Sequence, residues 1–530
     1  MTSFAPENRL KSPLDIRWQR WLFWLALIYT LVAQLPTLSP YRITRVDDMV
    51  ITDSSYMLAT GASPVPASQI WGRFLPEMAT INMHYSPLYF YVEAAALRLF
   101  GFSLLTTSAL HVGIRVLSAI VFYVLCRRAG LAVWASAGLM IAWATFADSE
   151  VGRPEDFALL CSVGALWALL RPEPSRWKIV LAGVLSGAAF LAHPVVLFVC
   201  VPAALVVIWL YFTNYRRRIA VVYLLVTGAV CSLWLLWIIP YYNEFVAVFL
   251  GFALPTAAAE SYGDGLYSWL YFVVVGYPDS GIWQYTLVPM LALLVVITAA
   301  TPAQKRRLYR FAPLLVPLTL LLLLGRNSAR HYMIPLLAVN LLLMLAIAAG
   351  QYAAAQTAQP VPRRRWATLA LGGLTLLIAG QIGLHVIREA AYGAGDVLLF
   401  TRCGVDLHPD VFAAIPTGEA VLTNNPYSFY RLRRDHPLYW PGGVVGELPS
   451  GRRYEVNFDD IDWLVLEDGI NENPTLRGGR FSNDSSPQYF NSNFTLVTRS
   501  TLDSCRDDSG LISYGGRGVP TVLALYERSR

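Results

Sequence analysis

Charge is scarce in this chain. Only 14% of its 530 residues are Asp, Glu, Lys or Arg, against about 25% in an average soluble domain. Cysteine is scarce too: there are six, with no zinc-type Cys or His spacing among them. The sequence holds no Walker-type phosphate loop and no Gly-rich dinucleotide fingerprint after a strand. Internal repeats and low-complexity tracts are also missing. No standard soluble-enzyme motif therefore competes for the chain. The net charge of +6 is small, and no nucleic-acid partner is expected.

Apolar and aromatic residues are plentiful. Hydrophobic residues make up 55% of the chain and aromatics 13%, with 16 Trp and 28 Tyr. The apolar residues fall in long runs rather than one-sided stripes, so they face lipid. Crossing a bilayer core of about 30 Å takes roughly 17 to 25 apolar residues. Such runs occupy 18–38, 105–126, 131–147, 154–170, 177–192, 195–212, 219–239, 284–300, 308–324, 332–352 and 366–387. The fold class is thus a polytopic α-helical membrane protein with about eleven transmembrane helices. The stretch 87–100 is too short and too mixed to span, and reads as an amphipathic helix at the interface. The first run is followed by Pro36 and Pro40 rather than a small-residue cleavage site, so it is expected to be retained.

Basic clusters give the spans a direction. Arg9, Lys11, Arg17 and Arg20 lie before or at the start of the first span. Further clusters are Arg127–Arg128, Arg171 with Arg176 and Lys178, Arg216–Arg218, Lys305–Arg307 with Arg310, and Arg363–Arg365. All fall on one side if eleven spans alternate, and short basic loops are cytoplasmic. The N-terminus is therefore expected in the cytoplasm and the chain in the plasma (inner) membrane. Residues 1–392 would form the membrane domain, with outward loops at 39–83 and 240–283. Residues 393–530 would form an extracytoplasmic soluble α/β domain, because β-rich runs at 419–422, 463–466, 494–498 and 521–526 alternate with turns and a helix near 426–432. Cys403 and Cys505 are the two cysteines of that domain and could form a disulfide in an oxidising compartment. The other four lie in spans as small apolar residues. Gly183 and Gly187 have the small-xxx-small spacing of close helix packing.

Charged groups near the expected outer face are the candidates for chemistry. Arg45-Val-Asp47-Asp48 follows the first span, with Asp53 a little further on. Adjacent carboxylates beside a bilayer must be solvated, paired or used, and a solvated turn is the plain alternative. Glu150-Val-Gly-Arg153-Pro154-Glu155-Asp156 opens the fourth span. Helix capping accounts for Glu155 and Asp156. It does not account for Arg153, a cation at a helix N-terminus, which would suit a bound anion. His84, His193-Pro194 and Arg330-His331-Tyr332 end other spans on the same side, where polar anchoring is the plain alternative. Together, such cations could hold a lipid phosphate while a carboxylate acts as general base.

Several of these segments resemble the C-type (GT-C) membrane glycosyltransferase superfamily, in its protein O-mannosyltransferase and aminoarabinose-transferase-like branch. Arg45-Val-Asp47-Asp48 resembles the acidic motif of the first outer loop. His84-Tyr-Ser-Pro-Leu-Tyr89 through Leu97-Arg-Leu-Phe-Gly101 resembles the Pro-Pro-Leu-Tyr … Leu-Phe-Gly interfacial helix. Arg153-Pro-Glu-Asp-Phe-Ala158, Gly187-Ala-Ala-Phe-Leu-Ala-His193-Pro194 and Arg330-His-Tyr-Met-Ile-Pro335 resemble three later motifs in the right order. The resemblance implies an inverting glycosyltransferase that moves a sugar from a polyprenyl-phosphate donor to a lipid, glycan or protein acceptor of the cell envelope. It implies Asp47 as general base with Asp48 beside it; the usual pair is Asp-Glu, so Asp48 is a departure. Arg153, Glu155, His84, His193, Arg330 and Tyr332 are the expected substrate-binding residues. A divalent metal, Mg or Mn, is left open by the resemblance.

Two rivals predict other features. A transporter or flippase of a lipid-linked or anionic substrate would show inverted repeats and charges near mid-bilayer; the charges here are expected at span ends. A non-catalytic membrane scaffold would leave Asp47 and Asp48 dispensable.

Overall fold

The computed structural model describes residues 13–39, 46–62, 86–146, 154–170, 175–212, 215–248, 365–404, 406–423, 425–439, 445–447, 453–455, 461–467, 491–502 and 522–529. The expected spans at 284–300, 308–324 and 332–352 lie outside the described residues, as do most of 39–83 and of 240–283.

Helix α1 (Pro13–Gln34) ends in a 3-10 turn at Leu35–Leu38. Then follow α2 (Val46–Ala59), α3 (Leu88–Phe100), α4 (Leu104–Arg128), α5 (Val133–Phe146), α6 (Glu155–Leu169), α7 (Arg176–Ala192), α8 (Leu197–Tyr211) and α9 (Arg216–Cys231). Among the described residues three helical runs, Trp18–Leu38, Leu104–Arg128 and Arg216–Val246, are by themselves long and apolar enough to cross a bilayer. The last overruns its expected end near 239. The helix restarts as α10 (Leu233–Ile238), and a 3-10 turn at Ile239–Tyr241 leads into α11 (Tyr242–Val248). Pro240 sits in the first positions of that short turn, where its missing N–H costs nothing, so it does not stop the chain.

The bundle is built inside out relative to a soluble protein. Small residues such as Ala119, Ala158, Ala165, Ala182, Ala189 and Ala204 fill its core. Trp18, Trp21, Trp24, Leu225 and Leu236 are exposed on its outside. Lipid imposes this pattern: apolar surface costs nothing there, and helices gain by close approach. Hydroxyls inside bond the carbonyl one turn back, as Thr30 does to Ala26, Ser162 to Ala158 and Thr227 to Tyr223. The paired glycines of α7 meet α9 as their spacing predicted. A Cβ on Gly183 would lie 2.8 Å from Val226 Cβ, and one on Gly187 would collide with Val230. Between them Ser186 shares a 2.7 Å hydrogen bond with the Tyr223 hydroxyl.

Helix α12 (Arg365–Cys403) runs unbroken through the expected span at 366–387 and across position 392. Beyond it come α13 (Pro409–Ala413), β1 (Val421–Thr423), α14 (Pro426–Leu432), β2 (Leu438–Tyr439), β3 (Val445–Glu447), β4 (Arg453–Glu455), β5 (Trp463–Glu467), β6 (Phe494–Thr501) and β7 (Val522–Arg528). A mixed sheet has the order β2-β1-β5-β7-β6: the first three strands are parallel, and β7 and β6 are antiparallel. Asn425 starts α14 by accepting the Tyr427 N–H at 2.8 Å, the cap that turns the chain back from β1. Val421, Leu438, Trp463, Val465 and Leu525 form the core of this unit. Cys403 is disulfide-bonded, and Cys505 lies outside the described residues.

Gly187→Ala should lower the thermal midpoint of the purified protein by forcing α7 from α9, an overpacking cost of about 1–3 kcal/mol. A midpoint equal to wild type in a detergent melting series would refute the close approach.

Candidate functional site

Many charged groups lie toward the two ends of the helical bundle, with Arg115 further in along α4. At one end Arg128 lies 4.1 Å above the Trp167 ring and donates to the Trp167 carbonyl, and Arg216 lies 4.0 Å above Trp209. The other end collects carboxylates. There α1 finishes, α4 and α6 begin, α7 finishes, and α2 and α3 pack across them through Ile51, Tyr89, Phe90 and Ile114. Gly101 closes α3 at φ +86, a left-handed conformation that suits glycine, and turns the chain into α4.

Three buried polar groups meet at that end. In the first, Asp156 Oδ2 accepts from Arg115 Nε at 2.6 Å and lies 2.8 Å from His111 Nε2. Arg115 Nη1 also donates to Gln34 Oε1 at 2.9 Å. This knot ties α1, α4 and α6. Asp156 stands in the first turn of α6 with Glu155, where an acid was expected, and its carboxylate is in addition committed to Arg115. One expectation is corrected: charge is not confined to span ends, because Arg115 sits near the middle of α4. His111 and Arg115 are four residues apart and therefore share one helix face. A His and an Arg at that spacing inside an apolar run were the sequence signal for this site.

The second group is Glu155 and His193. Glu155 opens α6 and His193 ends α7, and they are both buried with Oε1 and Nε2 3.8 Å apart. The two adjacent carboxylates of α6 thus have different jobs. Asp156 is locked into helix packing, and Glu155 faces His193.

The third group is Glu93 on α3. Its Oε1 accepts from Thr52 Oγ1 at 3.0 Å and its Oε2 from Ser55 Oγ at 2.8 Å, both from α2. Burial pushes the Glu93 carboxyl up to about 7, and bonds from Ser55, Thr52 and Thr107 only partly offset this. Glu93 did not figure among the expected site residues, since a single Glu in a mixed helix looks like a surface group.

Of the expected site residues, Asp47 and Asp48 stand in the first turn of α2, and their side chains lie outside the described residues. So do His84, Arg153, Arg330 and Tyr332 as whole residues. The structure brings together Glu155 and His193. Among the described residues no three or more His, Cys, Asp or Glu side chains gather as a metal-binding set. Beside the polar end, α1 and α12 enclose an apolar groove of about 800 Å³, lined by residues such as Ile28, Val32, Leu35, Val397 and Phe400.

This architecture is that of a polytopic membrane protein, and its fold recurs in a solved structure. A solved structure that shares it is ArnT from Cupriavidus metallidurans bound to undecaprenyl phosphate. The two align over 96% of this chain and 98% of that one, with a TM-score of 0.50 and 13% sequence identity. At that identity the likeness is one of fold. No family model matches the chain, and no curated protein does.

Two outcomes follow from the buried groups. A carboxyl raised to about 7 favours the protonated folded state, so its contribution is full below pH ~4.5 and lost as pH rises to about 7. Wild type should lose about 2.5 kcal/mol more than Glu93→Gln between pH 5 and 8; parallel stability profiles would contradict this. Asp156→Asn should destabilise the protein by about 3–5 kcal/mol through the stranded Arg115, and Glu155→Gln by less than about 1 kcal/mol. Equal loss in chemical denaturation would show that the two acids are not divided as described.

Proposed function

We propose that this chain is an inverting glycosyltransferase of the plasma (inner) membrane. It moves a sugar from a polyprenyl-phosphate donor to a lipid, glycan or protein acceptor of the cell envelope. One observation carries the proposal. The helix bearing Asp47 and Asp48 packs onto the end where Glu155 and His193 meet, in a fold shared with a structure that holds undecaprenyl phosphate. The basic residues at the opposite end support placing this end outside, by the bias of cytoplasmic loops toward Lys and Arg.

In this mechanism Asp47 takes the proton of an acceptor hydroxyl or amine. The freed oxygen or nitrogen attacks the anomeric carbon from the face opposite the phosphate. The bond from that carbon to the phosphate oxygen breaks, inverting the centre and releasing polyprenyl phosphate. Arg153, Arg330 and His193 would stabilise the charge developing on the leaving phosphate. Glu155 would orient His193, while His84 and Tyr332 would contact the donor head. The groove between α1 and α12 offers a hydrocarbon surface for the polyprenyl tail.

A transport role draws on Arg115, a charge near mid-helix. Arg115 is closed off by Asp156 and Gln34, as a packing ion would be. The two readings separate in one assay. Purified protein reconstituted in lipid vesicles is given undecaprenyl-phosphate sugars and an envelope extract. Wild type should transfer sugar, and Asp47→Asn should transfer it about 10²–10⁴-fold more slowly. Equal transfer by both rejects Asp47 as base. No transfer by wild type, with labelled undecaprenyl phosphate crossing between vesicle leaflets, would favour transport.

A further inference from the structure

Helix α2 is gripped by a residue 380 positions further along the chain. Arg433 Nε donates to Asp53 Oδ1 at 2.6 Å, and both side chains are buried. Its guanidinium lies 5.1 Å from the centre of the Tyr56 ring, and its Nη2 is 3.2 Å from Met57 Sδ. The Tyr430 hydroxyl reaches Thr52 Oγ1 at 3.5 Å. Residues 52, 53, 56 and 57 make one face of a helix. Alongside, Phe102 packs 4.5 Å from Tyr56, stacks 5.8 Å from Tyr430 and meets Phe429 edge-on at 6.0 Å. Arg433 is itself fixed, because it stands at the C-terminal cap of α14 and its N–H bonds the Phe429 carbonyl at 2.9 Å.

Resting on the assignment of the general base to α2, we propose that Arg433 is a positioning residue: through Asp53, the C-terminal α/β unit holds α2 in place for the reaction. Helix geometry fits the division of labour. Position 47 is six residues before position 53, so the two are about 9 Å apart along the axis and about 240° apart around it. The grip therefore falls on a different face from the one at position 47. It also explains the third acid of the segment. Asp53 is the anchor of the helix, and Asp47 is left for substrate. Two buried ions make a decisive anchor because either one alone is strongly disfavoured. A displaced α/β unit would break this buried pair, so α2 and the unit move together.

Hydrogen exchange on the full-length protein in nanodiscs tests this, using Arg433→Gln, Asp53→Asn and the double variant. Each single variant should speed exchange of the α2 amides on the order of 100-fold, leaving β5 and α4 as protected as in wild type. The double variant should be no looser than the worse single, because the two charges act as one pair. With undecaprenyl-phosphate sugar as donor, kcat should fall alongside while KM moves less than about threefold. Wild-type protection of α2 in both singles overturns the proposal. So does a double variant whose loosening is the product of the two, or a kcat that survives the loosening. Should Arg433→Gln fail to fold, Asp53→Asn alone decides by the same α2-against-β5 comparison. If wild type transfers no sugar at all, the transferase assignment falls, and the exchange data still decide whether Arg433 grips α2.

Discussion

An ion that leaves water needs its counter-ion supplied by the fold, and at this protein's polar end that requirement decides which helices touch. Arg115 sits near the middle of α4 and could not remain there alone. Asp156 from α6 and Gln34 from α1 reach it, so three spans are brought into register at one level. The same requirement is met differently elsewhere. Asp53 takes a cation from a distant segment. Among the described residues the hydrogen-bond partners of Glu93 are hydroxyls, and burial raises its carboxyl.

Much of the fold was legible because lipid asks for simple patterns. Apolar runs located α1, α4, α7, α9 and α12, and paired glycines marked where α7 meets α9. Strands β1, β5, β6 and β7 and helix α14 emerged from short β-rich runs between turn residues. Helix ends were less legible. The run expected to end at 239 continues past Pro240, which sits where a short turn tolerates it, and position 392 is crossed by a continuous helix.

The site was legible only in part. Glu155 and His193 were visible as polar residues at span ends, and they do meet. Asp156, next to Glu155, looked like a cap for the same helix. One residue is a rotation of about 100°, which is enough to send neighbouring acids to different partners. Arg115 pairs across 41 positions and Arg433 across 380. No local period records a contact of that reach; only the cost of leaving such a charge alone hints that a partner exists.

Helix α12 has 39 residues, which at 1.5 Å each is about 58 Å. The hydrocarbon layer is about 30 Å thick, so even when tilted the helix outruns it and continues as a rigid post. The α/β unit is therefore held twice, by the post at its beginning and by Arg433 at its corner. That makes it a caliper with a set jaw. The distance between the unit and the bundle is set by these two attachments, as a rule's length is set by its end stops.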